Sequence, residues 1–191
     1  MNKFLKPLGL IFLVVFLDQT FKIWVRKTMY TGQELRVIGN WFRLQFVENN
    51  GIAFGLEFGE GYGKLLLTLF RIAAVFTLGY LIYRGIKNEY KTGLILCLSL
   101  ILAGALGNII DSIFYGRLFG YAPYFHGKVV DMLYFPLFHF TLPAWVPQFG
   151  GREVQFFQYV FNLADSSVFI GAVSILIWSK SFSLTQNEEK L

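Results

Sequence analysis

The chain has 191 residues, of which 55% are hydrophobic and only 15% charged, with 22 Phe among them. A typical soluble domain carries about 25% charged residues. A fold of this size cannot hide so much apolar surface from water, so lipid must cover part of it, in keeping with a mean hydropathy of +0.52. Seventeen Lys and Arg against twelve Asp and Glu leave a net charge of +5. With no clustered basic run, that excess points to membrane orientation and excludes nucleic acid as a partner. One Cys excludes a disulfide framework and a Cys-rich metal centre.

A membrane helix needs about 20 largely apolar residues. Four stretches meet this, over about 5–25, 64–83, 92–111 and 161–178. Lys3 and Lys6 before an apolar run also suit a signal peptide, but Asp18-Gln19-Thr20-Phe21-Lys22 stands where a small-residue cleavage site is needed, so the segment reads as an uncleaved span. The whole of 1–191 is then one integral membrane domain. The loop between the second and third spans carries Arg84, Lys87 and Lys91 against Glu89, the N-terminus adds Lys3 and Lys6, and Lys180 follows the last span. The positive-inside rule makes these segments cytoplasmic, with a tail over 180–191 on the same side. Segments 26–63 and 112–160 lie on the far side, where Glu34, Glu48, Glu57 and Glu60 dilute the basic residues.

Between the first two spans, Gly39-Asn40 reads as a two-residue hairpin turn. Pairing outward from it puts Leu35, Val37, Phe42, Leu44 and Phe46 on one face and Arg36, Arg43 and Gln45 on the other. The second outer segment is aromatic and poor in charge, and its prolines prevent a regular helix. It reads as an irregular flap or interfacial loop. The fold class expected is a membrane all-α bundle of four transmembrane helices with a small extracytoplasmic β-hairpin or sheet.

All eight glutamates fall in loops or the C-terminal tail, whereas Asp18, Asp111, Asp131 and Asp165 each lie within a span or near one end of it. An ionisable group at that depth is costly and signals function. Asp18 and Lys22, four apart on one helix face, can neutralise each other. Asp111, at the C-terminal end of the third span, faces an unfavourable helix dipole and needs a donor. Asp165 follows Asn162 by three positions, a capping arrangement. Asp131 stands in Val129-Val130-Asp131-Met132-Leu133 with no adjacent cation, where desolvation raises a carboxyl pKa. If Asp131 and Asp165 converge they share a proton, and one can activate water while the other hydrogen-bonds a peptide carbonyl. That is aspartic proteolysis; which of the two is acid and which base stays open. His126 and His139 lack a third ligand at metal spacing, Cys97 reads as a buried structural thiol, and Arg71 either faces the bundle or snorkels outward. A proton-coupled transporter and a lipid-binding assembly factor are the rival classes. The first wants acids spread through the bilayer and the second leaves Asp131 unexplained.

These blocks together resemble the lipoprotein signal peptidase (signal peptidase II) family of bacterial aspartic peptidases. The likeness runs through Asp18-Gln19-Thr20-Phe21-Lys22, Glu48-Asn49-Asn50-Gly51-Ile52-Ala53-Phe54, Gly104-Ala105-Leu106-Gly107-Asn108-Ile109-Ile110-Asp111, Gly127-Lys128-Val129-Val130-Asp131 and Phe161-Asn162-Leu163-Ala164-Asp165-Ser166. The resemblance implies a catalytic dyad of Asp131 and Asp165, with Asp18, Lys22, Asn49, Gly104, Asn108, Asp111 and Asn162 supporting substrate and site. It implies no metal and no cofactor. It also implies, as substrates, diacylglyceryl prolipoproteins cut just before the lipidated cysteine, a place in the bacterial cytoplasmic (inner) membrane among its lipid, and action as a monomer. Two features depart from the family: Ser112 follows Asp111 where Arg is common, with Arg117 five residues on, and the stretch from Asp131 to Asn162 is long.

Overall fold

The computed structural model describes residues 3–50, 62–145, 147–148, 150–156 and 158–179. Glu57, Glu60, Lys180, the tail 180–191 and the Gly51-Ile52-Ala53-Phe54 end of the second block lie outside them. Helix α1 spans Leu5–Thr28, with Pro7 in its first turn, where the missing N–H costs nothing, and Arg26 and Lys27 in its last, against the dipole's negative end. Strands β1 (Glu34–Ile38) and β2 (Phe42–Asn49) follow, then α2 (Tyr62–Lys87) and α3 (Thr92–Ile110). The third helix does not stop at Asp111: a π turn over Asp111–Tyr115 and a short α4 (Gly116–Leu118) continue it. Next come β3 (Val129–Tyr134), β4 (Phe138–Thr141), β5 (Glu153–Phe156), β6 (Val160–Phe161) and α5 (Leu163–Ile177).

Helix α3 is central and packs against α1, α2 and α5. The outward faces carry Phe12, Phe16, Leu66, Phe70, Phe76, Phe169 and Leu176, each more than half exposed. Such surface is tolerable only against lipid. Leu5–Thr28, Gly63–Lys87 and Thr92–Leu118 are long and apolar enough to cross a membrane, while α5 has 15 residues among those described. It begins two residues later than the sequence suggests, because Phe161 pairs with β3 and Asn162 caps the helix instead of entering it.

The segment expected to be an irregular flap or interfacial loop contains four short strands. Strands β1-β2-β3-β6 form one antiparallel sheet, and β4 and β5 pair separately. Proline forbids helix there, but it spares strands at their ends and edges. The hairpin also differs from expectation. Ile38 faces Phe42 across the three residues Gly39 to Trp41, and a bulge between Arg36 and Ile38 absorbs the offset. Gly39 has φ +52, whereas Asn40 lacks the positive φ that a type I′ turn requires. Leu44 and Phe46 do face inward, packing with Val25, Met29, Tyr115, Val130 and Met132, but Leu35 and Val37 of β1 are exposed.

The sheet is the joint that positions the site. Pairing β2 with β3 sets Val47 opposite Asp131 and Asn49 opposite Val129, so two connecting segments far apart in sequence meet along one ladder. Arg26 pairs with Glu48 and lies over the rings of Phe119 and Tyr121, 4.3 and 4.8 Å from their centroids. That clasp fixes the ladder to the end of α1. At the opposite end of the bundle, Lys3 pairs with Glu89 beside the α2–α3 turn.

Candidate active site

Six elements deliver the polar groups: α1, β2, α3, the π turn, β3 and α5. Asp131 sits on β3, not at the end of a span as its apolar neighbours suggested. Val129 through Met132 are all buried, so the strand is covered on both faces and shows no alternation. Asp165 is the third residue of α5. Asn162 caps this helix by accepting from the Asp165 backbone N–H at 2.9 Å, while the Asp165 side chain accepts from the Asn162 backbone N–H at 3.3 Å. Capping is therefore real, but it uses one carboxylate oxygen. The other, Oδ1, accepts from Asn108 Nδ2 at 2.8 Å.

Asn162 brings the two carboxylates together. Its backbone N–H serves Asp165 and its side-chain amide donates to Asp131 Oδ1 at 2.7 Å. Asn49 donates to the other oxygen of Asp131 at 3.2 Å. Burial, and then the charge of Asp165, push the Asp131 carboxyl up to about 7; the bonds from Asn49 and Asn162 and the charge of Lys22 oppose this without cancelling it.

Beneath the pair lies a second, fully buried charge cluster. Lys22 Nζ is 2.8 Å from both Asp18 and Asp111 and donates to Asn108 Oδ1 at 3.0 Å. Asp18 also accepts from the Ala164 backbone N–H at 3.0 Å, which pins the first turn of α5 to α1. Asp111 gains the donors its position called for: Lys22, Gln19 at 2.9 Å and the Val130 backbone N–H at 3.3 Å. Asn108 thus reads the ammonium with its oxygen and the Asp165 carboxylate with its nitrogen. Among the described residues no buried side-chain nitrogen or oxygen lacks a partner.

Of the expected supporting residues, Asn49, Asn108 and Asn162 bond the carboxylates of the pair, Asp18, Lys22 and Asp111 form the cluster beneath them, and Gly104 acts through its size. It faces α5, and a Cβ there would lie 2.2 Å from the Ala164 carbonyl oxygen. At Gly107 a Cβ would lie 2.6 Å from Asp18 Oδ2. The glycines therefore set how closely α3 approaches α5 and Asp18.

Sequence reasoning missed Gln19 as a site member, although a polar residue inside an apolar span was its signal. Its amide donates to Asp18, Asp111 and the Gly107 carbonyl, and its oxygen accepts from Tyr115. Arg71 faces the bundle and donates to Ser112 Oγ at 3.2 Å, whereas Arg117 is exposed. Ser112 is fully buried, because the π turn rotates it inward with Asp111 and Tyr115. His126 Nδ1 lies against the Tyr124 carbonyl, and no three potential metal ligands gather among the described residues. Beside Asp165 a cavity of about 550 Å³ is walled by Tyr159, Phe161, Phe169 and Ile170, with Ser166 at its edge.

Known proteins share this arrangement of chain. A lipoprotein signal peptidase of Porphyromonas gingivalis is 45% identical over 199 residues, covering 95% of this chain and 86% of that protein. Another, from Amoebophilus asiaticus, is 41% identical over 198 residues, covering 99% and 83%. A bacterial membrane enzyme solved by the in meso method superposes with a TM-score of 0.62 at 27% identity, covering 93% of this chain and 90% of that one. The family model described as signal peptidase (SPase) II matches residues 10–181. With nearly the whole chain matched, this protein belongs to the signal peptidase II family.

Proposed function

We propose that Asp131 and Asp165 are the catalytic dyad with which this signal peptidase removes the signal peptides of lipoproteins. The observation that carries the reading is the double service of Asn162, which bonds one carboxylate through its side chain and the other through its backbone. Two carboxylates gathered about one residue resist joint ionisation and share a proton. The ionised member takes a proton from water as the water oxygen bonds to the scissile carbonyl carbon. The protonated member donates to the carbonyl oxygen. Collapse of the tetrahedral intermediate breaks the C–N bond, and the departing nitrogen takes up a proton from the dyad. Burial pushes the Asp131 carboxyl up to about 7, which favours its carrying a proton in the resting enzyme.

The substrate in this reading is a prolipoprotein whose cysteine already carries diacylglycerol, cut just before that cysteine. The apolar cavity beside Asp165 suits a hydrocarbon portion of such a substrate. The dyad stands at the sheet end of the bundle, far from the basic α2–α3 turn. This supports four spans in the bacterial inner membrane, termini in the cytoplasm, and a site at the outer surface where acyl chains can stay in lipid. Both carboxylates and their donors come from one chain, which supports a monomer. The test is cleavage of a synthetic diacylglyceryl-cysteine peptide in detergent. Asp131→Asn and Asp165→Asn should each lower the rate at least about 100-fold while the protein stays folded. A folded Asp165→Asn protein with full activity ends the dyad assignment.

A further inference from the structure

Helix α2 turns one polar stripe toward the site: Lys64, Thr68 and Arg71, at spacings of four and three, share a helix face. Thr68 donates to the Phe125 carbonyl at 3.2 Å, fixing that face against the chain that returns toward β3. Both cations then meet one hydroxyl. Arg71 Nη1 donates to Ser112 Oγ at 3.2 Å, and Lys64 Nζ stands 3.4 Å from the same atom while donating to the Asn50 carbonyl at 2.9 Å. Ser112 sends its own proton to the Asn108 carbonyl at 2.9 Å, so its lone pairs are left for the cations. Asn108 is also the residue whose amide holds Asp165.

The charges around the dyad come from every neighbouring element: Asp18 and Lys22 from α1, Asp111 from the π turn, Asp131 from β3, Asp165 from α5, and Lys64 and Arg71 from α2. Asp18, Asp111 and a singly protonated dyad amount to three negative charges. Lys22 offsets only one, and Arg71 and Lys64 offset the other two. The guanidinium acts electrostatically on Asp165 first and on Asp111 and Asp131 after it. A group so placed favours an ionised carboxylate without contacting the scissile bond.

Resting on the dyad assignment above, we propose that Arg71, anchored by Ser112, is a positioning residue that sets the protonation window in which the Asp131–Asp165 pair works. A simple tether between α2 and α3 would lower activity or stability and leave the pH profile where it is. A charge acting on the dyad moves both limbs of the profile together, because removing a cation makes each proton harder to lose.

The experiment is the pH dependence of kcat/KM for the diacylglyceryl-cysteine peptide, with melting measured in parallel, in wild type, Arg71→Gln, Arg71→Lys and Ser112→Ala. Arg71→Gln should move both limbs to higher pH by about 0.5–1 unit and lower kcat/KM at mildly acidic pH about tenfold. Arg71→Lys should recover at least half of that shift, and Ser112→Ala should show a smaller shift of the same sign. A folded Arg71→Gln protein with its limbs at the wild-type positions overturns the proposal, whatever its absolute activity. Should Arg71→Gln not fold, unmoved limbs in Ser112→Ala overturn it instead. Asp131→Asn and Asp165→Asn run alongside. Cleavage surviving in them breaks the dyad assignment, whereas loss in both with unmoved Arg71→Gln limbs breaks only the role of Arg71.

Discussion

At the scale of single residues, the four aspartates divide into two kinds by their partners. Asp18 and Asp111 share the Lys22 ammonium at 2.8 Å each, and removing one partner of such a buried cluster typically costs about 3–5 kcal/mol. Their work is to hold α1, the π turn and α5 in register. Among the described residues, Asp131 accepts only from the uncharged amides of Asn49 and Asn162, which leaves its desolvation largely uncompensated. A buried carboxyl pushed up to about 7 keeps its proton through mildly acidic pH and loses it above neutrality. If the protonated member of the pair must donate to the substrate carbonyl, kcat/KM falls as pH rises through about 7, by about tenfold per unit once well above it. Steady-state cleavage between pH 5 and 9 checks this. A rate flat to pH 9 would mean that the carboxyl is not held up as its burial implies.

At the scale of elements, what could be read from the sequence depended on whether one element or two set the pattern. The apolar helices were legible because lipid imposes length and apolarity on each helix separately. Asp131 stood out for a similar reason, since a carboxylate without a cation in Val-Val-Asp-Met-Leu is anomalous in any secondary structure. That Asp131 lies on a strand was not legible, because β3 is covered on both faces and period-two alternation disappears. The bulge before Ile38 and the loss of Phe161 from the last helix likewise depend on partner strands. Continuation of α3 through the π turn escaped notice because Asp111 looked like a terminus, and Arg71 could not be aimed until Ser112 had been turned inward. Gly104 shows the same coupling between elements. Replacing it with Ala puts a methyl 2.2 Å from the Ala164 carbonyl oxygen, a backbone atom one residue before Asp165. Helices α3 and α5 must then part, which costs about 1–3 kcal/mol and pulls Asn108 from Asp165. Gly104→Ala should melt lower and cleave more slowly. Gly9→Ala on α1, where a Cβ meets nothing within 4 Å, should melt no lower than wild type.

At the scale of the whole molecule, the two ends of the bundle are chemically unlike. One holds the sheet, its exposed aromatic residues and both clusters of carboxylates; the other holds Arg84, Lys87 and Lys91 around a tight turn to which Lys3 is tied through Glu89. Lys87 and Arg84 lie over the rings of Tyr83 and Tyr80, so the basic residues and the aromatic groups that favour a membrane interface occupy one belt. In the orientation proposed above, retention of Lys and Arg on the cytoplasmic side sets the direction of the whole chain, and Asp131 and Asp165 are carried to the opposite surface with the sheet. The single native Cys97 is buried, which permits a direct test with introduced thiols. Thr31→Cys, exposed just before β1, should react with a membrane-impermeant thiol reagent added outside intact spheroplasts. Asn88→Cys, exposed in the α2–α3 turn, should react only after the membrane is opened. The reverse pattern would put the carboxylates on the cytoplasmic face, where a prolipoprotein's lipidated cysteine, once exported, could not reach them.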